Sequence, residues 1–148
     1  AVIKASQAVV RLAEYKTEVK LIPEIKTLLN SLGHGWEKVT ERNIDTFLDD
    51  YPDRGFAERV RALTRMTLSP NMIQGGAKTN IVPDSCEVQV DIRVLPGQDK
   101  EYVLGVLHSI LGKDVEIEIP TFYEASFSPT SSPHLQLIKQ TMRKFWEM

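Results

Sequence analysis

The sequence lacks most of the residue patterns from which a self-contained catalytic centre is built. It has one cysteine, so no disulfide can form within the chain, and its three histidines are far apart with no metal-ligand spacing. It has no His-x-Asp pair, HExxH motif, Glu-Glu pair or Gly-x-Ser-x-Gly elbow. From the residues alone, we expect no transition-metal site and no independent catalytic activity.

Charge and apolar runs argue against two further classes of function. The formal net charge is −2, with 18 basic and 20 acidic residues, which does not favour nucleic acid or an anionic membrane as a partner. The longest apolar runs are too short to span a bilayer. The lone Cys86 and the absence of a signal-peptide pattern fit a reducing compartment, so we expect a cytoplasmic protein.

An alternating stretch in the second half of the chain gives the clearest structural signal. From Ser85 to Leu95, apolar residues occupy one face and polar residues, including Asp91 and Arg93, occupy the other. This period of two predicts a half-buried strand. Thr79 to Val82 is also β-prone. We therefore predict two strands joined by a glycine-bearing hairpin within residues 66–97.

Helical patterns dominate the chain before this hairpin. Apolar residues spaced by three and four predict a helix from Ala1 to about Lys20 and a second one between Pro23 and Gly33. A short helix is expected from Thr40, with its hydroxyl as the N-cap, and another over residues 53–65. In the intervening loop, His34 lies between two glycines, where a histidine is more often solvated than metal-bound.

A helix, a strand and a final helix are expected after the hairpin. Asp99 is the expected N-cap of a helix that ends at Gly112. The alternation of Val115, Ile117 and Ile119 predicts a strand, and a last helix starts at Pro133 after a polar connector. Because helical patterns reach both ends, we expect the chain to be a piece of a larger protein.

Two polar residues of the hairpin are candidates for contacting a small molecule. Arg93, at the end of the predicted strand, could hold a carboxylate through two hydrogen bonds, but an ion pair with Asp91 or Glu87 would also explain it. The amide of Asn80 could donate to a carbonyl oxygen, although its position also suits a hairpin residue with unusual backbone angles. The pattern alone favours the structural interpretation of both residues.

The hairpin also resembles a known family. The run GGAKTNIVPD followed by CEVQVDIRVLPG resembles the lid, or dimerisation, domain of the M20 family of metallopeptidases and deacylases. That family includes acetylornithine deacetylase-like, succinyl-diaminopimelate desuccinylase-like and carboxypeptidase-like enzymes. The resemblance implies an α+β fold with a ferredoxin-like antiparallel sheet, helices on one face, and the order βαββαβ. The first, central strand of that order is missing from this chain.

The resemblance implies a function for the two hairpin residues. In similar enzymes the asparagine before Ile/Val-Pro and the arginine of Asp-Ile-Arg hold the substrate's carbonyl or carboxylate, which implies that role for Asn80 and Arg93. Two zinc ions, their ligands and the general-base glutamate lie in a separate catalytic domain, where metal-activated water attacks an amide carbonyl. The expected substrates are N-acyl amino acids or peptides, and the chain itself is expected to hold no metal.

The resemblance also implies an organisation and partners. Residues 1–120 correspond to the lid or dimerisation domain, with residues 34–65 as a helical insertion. Residues 121–148 correspond to a connector and a helix that returns toward the catalytic domain. Because family lids pair two subunits, we expect a homodimer that also contacts its own catalytic domain. Two alternatives remain: a non-catalytic ferredoxin-like module that binds a small carboxylate, and a purely structural dimerisation domain.

Overall fold

The computed structural model describes residues 1–33 and 35–146, so His34 lies outside the described residues. The helices in chain order are α1 (Val2–Glu14), α2 (Pro23–Leu32), a 3₁₀-helix (Trp36–Lys38), α3 (Ile44–Asp49), α4 (Arg54–Leu63), α5 (Lys100–Leu111) and α6 (Pro133–Trp146). The strands are β1 (Thr67–Gly75) and β2 (Cys86–Arg93), between α4 and α5. This combination of helices with an antiparallel sheet confirms the predicted α+β class.

The two strands form the predicted hairpin. Thr67 pairs with Arg93 at one end of the sheet, and Gly75 pairs with Cys86 at the other. The register shifts between Pro70 and Met72, where a bulge accommodates a proline that has no N–H to donate. Burial alternates along the whole of β2, which confirms its predicted half-buried character. The β-prone residues 79–82 lie in the connecting loop instead of a strand.

Helices α1 and α5 pack against the sheet and form its hydrophobic core. We call this group the sheet cluster, and its buried members are Ala8, Leu12, Met66, Val103, Leu107 and Leu111. Leu68, Val90 and Ile92 of the two strands pack against it. As predicted, the Asp99 carboxylate caps α5 by accepting from the Tyr102 N–H at 2.8 Å, and Gly112 ends the helix with φ of 78°.

The strand predicted around Val115–Ile119 is wrong, because this segment joins no ladder among the residues that the structure describes. Its side chains still alternate in burial, and Val115, Ile117 and Ile119 pack against the sheet cluster. Apolar burial therefore keeps the segment extended, while no neighbouring backbone supplies the hydrogen bonds of a strand. The ferredoxin-like sheet is accordingly partial, with two of its strands present in the described ranges.

Some of the predicted helix boundaries and caps differ from those in the structure. Helix α1 ends at Glu14, earlier than the predicted Lys20, and the following residues run extended until α2 starts. The prediction that the Thr40 hydroxyl caps α3 is wrong, because that hydroxyl bonds Asn43 Oδ1 and α3 begins only after Asn43. By contrast, Asp53 caps α4 through the Phe56 N–H at 2.9 Å.

Residues that lie between α1 and β1 in the sequence form a second hydrophobic core. We call it the insertion cluster, and its buried members are Leu21, Leu29, Trp36, Ile44, Leu48, Ala57 and Val60. The Trp36 ring lies at its centre, with ring centroids 4.6 Å from Phe47 and 5.0 Å from Tyr51. Within the described ranges, no residue belongs to both clusters. Among the described residues, no helix combines the length and apolarity needed to cross a bilayer.

The close approach of Gly75 to Cys86 allows a steric test of the hairpin. A Cβ at this position would lie 2.7 Å from Cys86 Sγ and 3.2 Å from Cys86 Cα, so Gly75→Ala must separate the paired strands. We expect a loss of about 1–3 kcal/mol in the free energy of unfolding, measured with urea. The control is Gly105→Ala in α5, where nothing lies within 4 Å; it should gain about 0.5–1 kcal/mol. Equal stability of the two variants would contradict the close approach.

Candidate functional site

Arg93 lies at the last position of β2, on the face of the sheet opposite α1 and α5. Its side chain is 81% exposed, and its Nε donates to Asp91 Oδ2 at 3.2 Å. Asp91 lies two residues earlier on the same face of the strand, as the period of two requires. The ion pair anticipated from the sequence as an alternative explanation is therefore present.

The ion pair leaves part of the guanidinium available. Within residues 1–33 and 35–146, the two terminal nitrogens of Arg93 form no hydrogen bond, since its contact to Asp91 uses Nε alone. Terminal guanidinium nitrogens present parallel N–H groups that match the two oxygens of a carboxylate. Chemically, the site can therefore bind a carboxylate from solvent while Asp91 restrains the arginine.

Asn80 lies in the loop of residues 76–85 that connects the two strands. The residue is exposed, and its side chain makes no hydrogen bond to any described residue. A turn bond from the Ile81 N–H to the Lys78 carbonyl, at 3.3 Å, shapes the backbone around it. The neighbouring Ile81 and Val82 are also exposed, at 55% and 85%. The Asn80 amide is thus free to contact a partner or ligand that approaches the loop.

The structure does not bring Arg93 and Asn80 together. Arg93 pairs with Thr67 at one end of the sheet, whereas Asn80 follows the opposite end, where Gly75 pairs with Cys86. From Cys86 to Arg93 the strand extends about 23 Å, at about 3.3 Å per residue. In this arrangement the two side chains face different surroundings, and each has to be considered as a separate contact point.

Two concave surfaces lie elsewhere on the described chain. A cavity of about 200 Å³ lies between α1, α4 and the start of β1, and one of about 260 Å³ lies beside Trp36. Neither is lined by Arg93 or Asn80. Among the described residues, no three His, Cys, Asp or Glu side chains are grouped so that they could hold a metal ion. The donor set of the described chain therefore does not fit a zinc site.

Sequence reasoning missed a charged cluster that joins α3, α4 and the residues just after α4. Arg65 donates to both carboxylate oxygens of Asp45, at 2.6 and 3.2 Å, and Arg61 donates to Asp45 at 2.8 Å and to Asp49 at 2.9 Å. The signal was present, because Asp45 and Asp49 on α3 are spaced by four, and so are Arg61 and Arg65 along and just after α4. Complementary charges at matching helical spacings favour pairing between two adjacent helices.

The charged cluster alters the titration of Asp45. The hydrogen bond from Arg65 is the main cause that holds the pKa of Asp45 below its ordinary value, and the nearby charges of Arg65, Arg61 and Lys16 act in the same direction. Partial burial of the carboxylate opposes them. The pKa of Glu41 is also lowered, mainly by a hydrogen bond to its own backbone, with the Leu21 N–H and Lys26 also contributing.

Comparison with known proteins places this geometry in context. A family model described as a peptidase dimerisation domain, M20_dimer, matches residues 1–117. The probable carboxypeptidase S-like 1 of Dictyostelium discoideum is 36% identical over 85 residues, which cover 55% of this chain and 17% of that protein. The aligned part is thus less than a fifth of that relative's length. No solved structure matches the chain significantly.

The lowered pKa of Asp45 predicts how the charged cluster depends on pH. A carboxylate with a depressed folded pKa adds stability above its unfolded value, near 3.8, and loses this contribution as pH falls through the folded pKa. Asp45→Asn should therefore lower the urea midpoint at about pH 7, and the difference from the parent sequence should shrink toward about pH 3. Glu41 contributes equally to the stability of the parent and of Asp45→Asn, so its titration cancels in the difference between them. A difference that stays constant with pH would contradict the assignment.

Proposed function

Because the chain belongs to the family of M20 peptidase dimerisation domains, we propose that it is the lid and dimerisation part of a longer, zinc-dependent amide hydrolase. The observation that carries the proposal is the family match over residues 1–117, which includes α1, both strands and α5. The M20 family implies a metal-dependent parent protein, and the described residues offer no metal site. The proposal therefore assigns the metal, its ligands and the catalytic base to another part of that longer protein.

The proposed substrates are N-acyl amino acids or peptides, and Arg93 is proposed to hold their carboxylate. Support comes from its exposed position at the end of β2 and from the terminal nitrogens that the Asp91 ion pair leaves available. The ion pair restrains the side chain before substrate arrives, so less conformational entropy is lost on binding. Arg93 would position the substrate, while bond cleavage would occur on the catalytic domain.

Asn80 is proposed to donate its amide to a substrate carbonyl from the loop of residues 76–85. Its exposure and the absence of a hydrogen bond to another described residue support this role. Since Arg93 is at the other end of the sheet, one small substrate would contact both residues if the loop folds back along the strands or if each copy of the proposed homodimer supplies one of them. The proposal therefore needs either a change in the loop or a site shared between two copies.

Helix α6 is proposed to pack against the catalytic domain after the connector of residues 121–132. It lies beyond the matched residues 1–117, and none of its described residues is buried. Ile138, Met142 and Phe145 lie on one side of the helix and are 57%, 49% and 71% exposed. An amphipathic helix with such a face gains most of its stability from tertiary packing. The proposed catalytic domain supplies that cover.

Replacing Arg93 with lysine tests the proposed carboxylate contact in the longer protein. Lysine keeps the charge but not the paired N–H geometry, so Arg93→Lys should lower kcat/KM by about 1–3 kcal/mol of transition-state stabilisation. Steady-state kinetics with an N-acyl amino acid measure the effect, and an unchanged thermal midpoint shows intact folding. The control is Arg59→Lys on the exposed surface of α4, expected to keep parental kinetics. Parental kinetics for Arg93→Lys would contradict the proposed role.

The proposed homodimer predicts association of the chain through β1. Its outer edge is unpaired within the described residues, and Met72 and Ile73 are 57% and 52% exposed. Unpaired edges recruit further strands. Light scattering at micromolar concentration should give at least twice the 16.8 kDa chain mass. Ile73→Lys should weaken this association, and Leu28→Lys on α2 should not. A parental chain that stays at 16.8 kDa would refute the dimer.

A further inference from the structure

Residues 21–63, which we call the inserted unit, have a core of their own. All buried members of the insertion cluster come from this range, and none contributes to the sheet cluster. The core is well formed, since Leu48 and Ile44 are fully buried and Trp36 is 1% exposed. Its Phe56 ring packs edge-on against Trp36 at 5.7 Å. A segment with a complete hydrophobic core has the physical basis for unfolding as a cooperative unit.

Two short chain segments connect the inserted unit to the sheet layer. We call residues 17–20 and 64–66 together the neck. The Lys20 N–H donates to the Thr64 carbonyl at 2.7 Å, and Val19 forms an isolated bridge with Arg65. The Thr17 hydroxyl donates to the Met66 carbonyl at 2.7 Å. The chain therefore enters and leaves the inserted unit side by side, which is the connectivity of a hinge.

A surface recess lies at the junction between the inserted unit and the sheet layer. The cavity of about 200 Å³ is lined by residues of the sheet layer, such as Leu12 and Leu68, and by residues of the inserted unit, such as Glu58 and Ala62. Beside it, Arg65 Nε is buried without a hydrogen-bond partner among the described residues. Buried polar atoms are normally satisfied by hydrogen bonds. This boundary therefore carries a buried polar atom that the described contacts leave unpaired, next to a recess that residues of both layers line.

The ion pair between Asp45 and Arg65 crosses from the inserted unit to the neck. Asp45 belongs to α3, and Arg65 lies in the neck segment that leads into β1. The carboxylate accepts two hydrogen bonds from Arg65, and the Arg65 side chain is only 13% exposed. Bidentate pairs of this kind fix relative orientation as well as adding energy. The pair is therefore the polar contact that restrains the unit at its hinge.

We infer that the inserted unit is a separately cooperative body hinged at the neck and restrained there by the Asp45–Arg65 ion pair.

The neck adjoins the Arg93 end of the sheet, because Met66 precedes Thr67, the partner of Arg93. On its other side, Lys20 Nζ lies 3.9 Å from where a Cβ of Gly97 would be. The hinge thus lies next to the end of the sheet that carries Arg93. The unit overlaps the insertion expected at residues 34–65, and its core also includes Leu21 and Leu29.

Native-state hydrogen exchange of the 148-residue chain tests the separate cooperativity. Leu48→Ala should reduce protection of the α3 and α4 amides by about tenfold or more and leave α5 within about twofold of the parent. The matched variant Leu107→Ala, in the sheet cluster, should instead reduce protection of the α5 amides and leave the α3 and α4 amides within about twofold of the parent. If Leu48→Ala does not fold, Ile44→Val gives the same comparison with a smaller change. Equal loss of protection in both layers would overturn the inference.

A second exchange experiment tests the hinge restraint. Asp45→Asn should speed exchange of the Lys20 amide, which bridges the neck, by about tenfold, while α2 and α4 amides stay within about threefold. Asp50→Asn, the same substitution at an exposed position after α3, is the control and should leave the neck unchanged. An unchanged Lys20 amide, or an equal acceleration throughout the inserted unit, would overturn the restraint. Because neither experiment measures hydrolysis, their failure is distinguishable from failure of the proposed function.

Discussion

Burial of one face of β2 beneath α1 and α5 is the constraint on which the rest of this chain depends. Strand side chains alternate, so placing Val90 and Ile92 against the sheet cluster forces Asp91 and Arg93 to the opposite face. A slip of one residue would exchange the two faces and bury the charged pair. The exposure of the candidate site thus follows from hydrophobic packing on the other side of the same strand. Helices α1 and α5 thus determine which side chains of β2 are exposed, although they pack on the opposite face of the sheet.

The parts of the fold that could be predicted are those governed by local pattern. Three features depend only on residues close together in the sequence, and the structure confirms them: the alternation of β2, the apolar stripe of α5 and the Asp99 cap. Strand formation around Val115–Ile119 depends on a partner backbone, which no local pattern reveals. Long-range pairing, more than propensity, decided this case. The Thr40 cap failed for a local reason, because the Thr40 hydroxyl bonds Asn43 Oδ1 and the helix begins only after Asn43.

The candidate site was predictable only in part, for a related reason. Pattern placed Arg93 on the polar face and anticipated its ion pair with Asp91, but a role in binding came from family resemblance. Arg93 and Asn80 lie at opposite ends of the hairpin because of the strand register. Their separation of 13 residues in the sequence does not by itself reveal this arrangement. The contact of Asp45 with Arg65 spans 20 residues and required the relative placement of α3 and α4.

In the role proposed for Arg93, its ion pair with Asp91 would serve binding without adding much stability. Both groups are exposed, at 81% and 51%, and exposed pairs contribute little to folding because water competes for them. The contact through Nε nevertheless limits the rotation of the guanidinium about its long side chain. An incoming carboxylate can then use the terminal nitrogens without displacing Asp91, and less rotamer entropy remains to be lost. The negative charge of Asp91 partly offsets this gain, so the pair favours a ligand that approaches along the terminal N–H groups. In the proposed role, this face of the sheet would therefore contribute the orientation of the Arg93 guanidinium more than net charge.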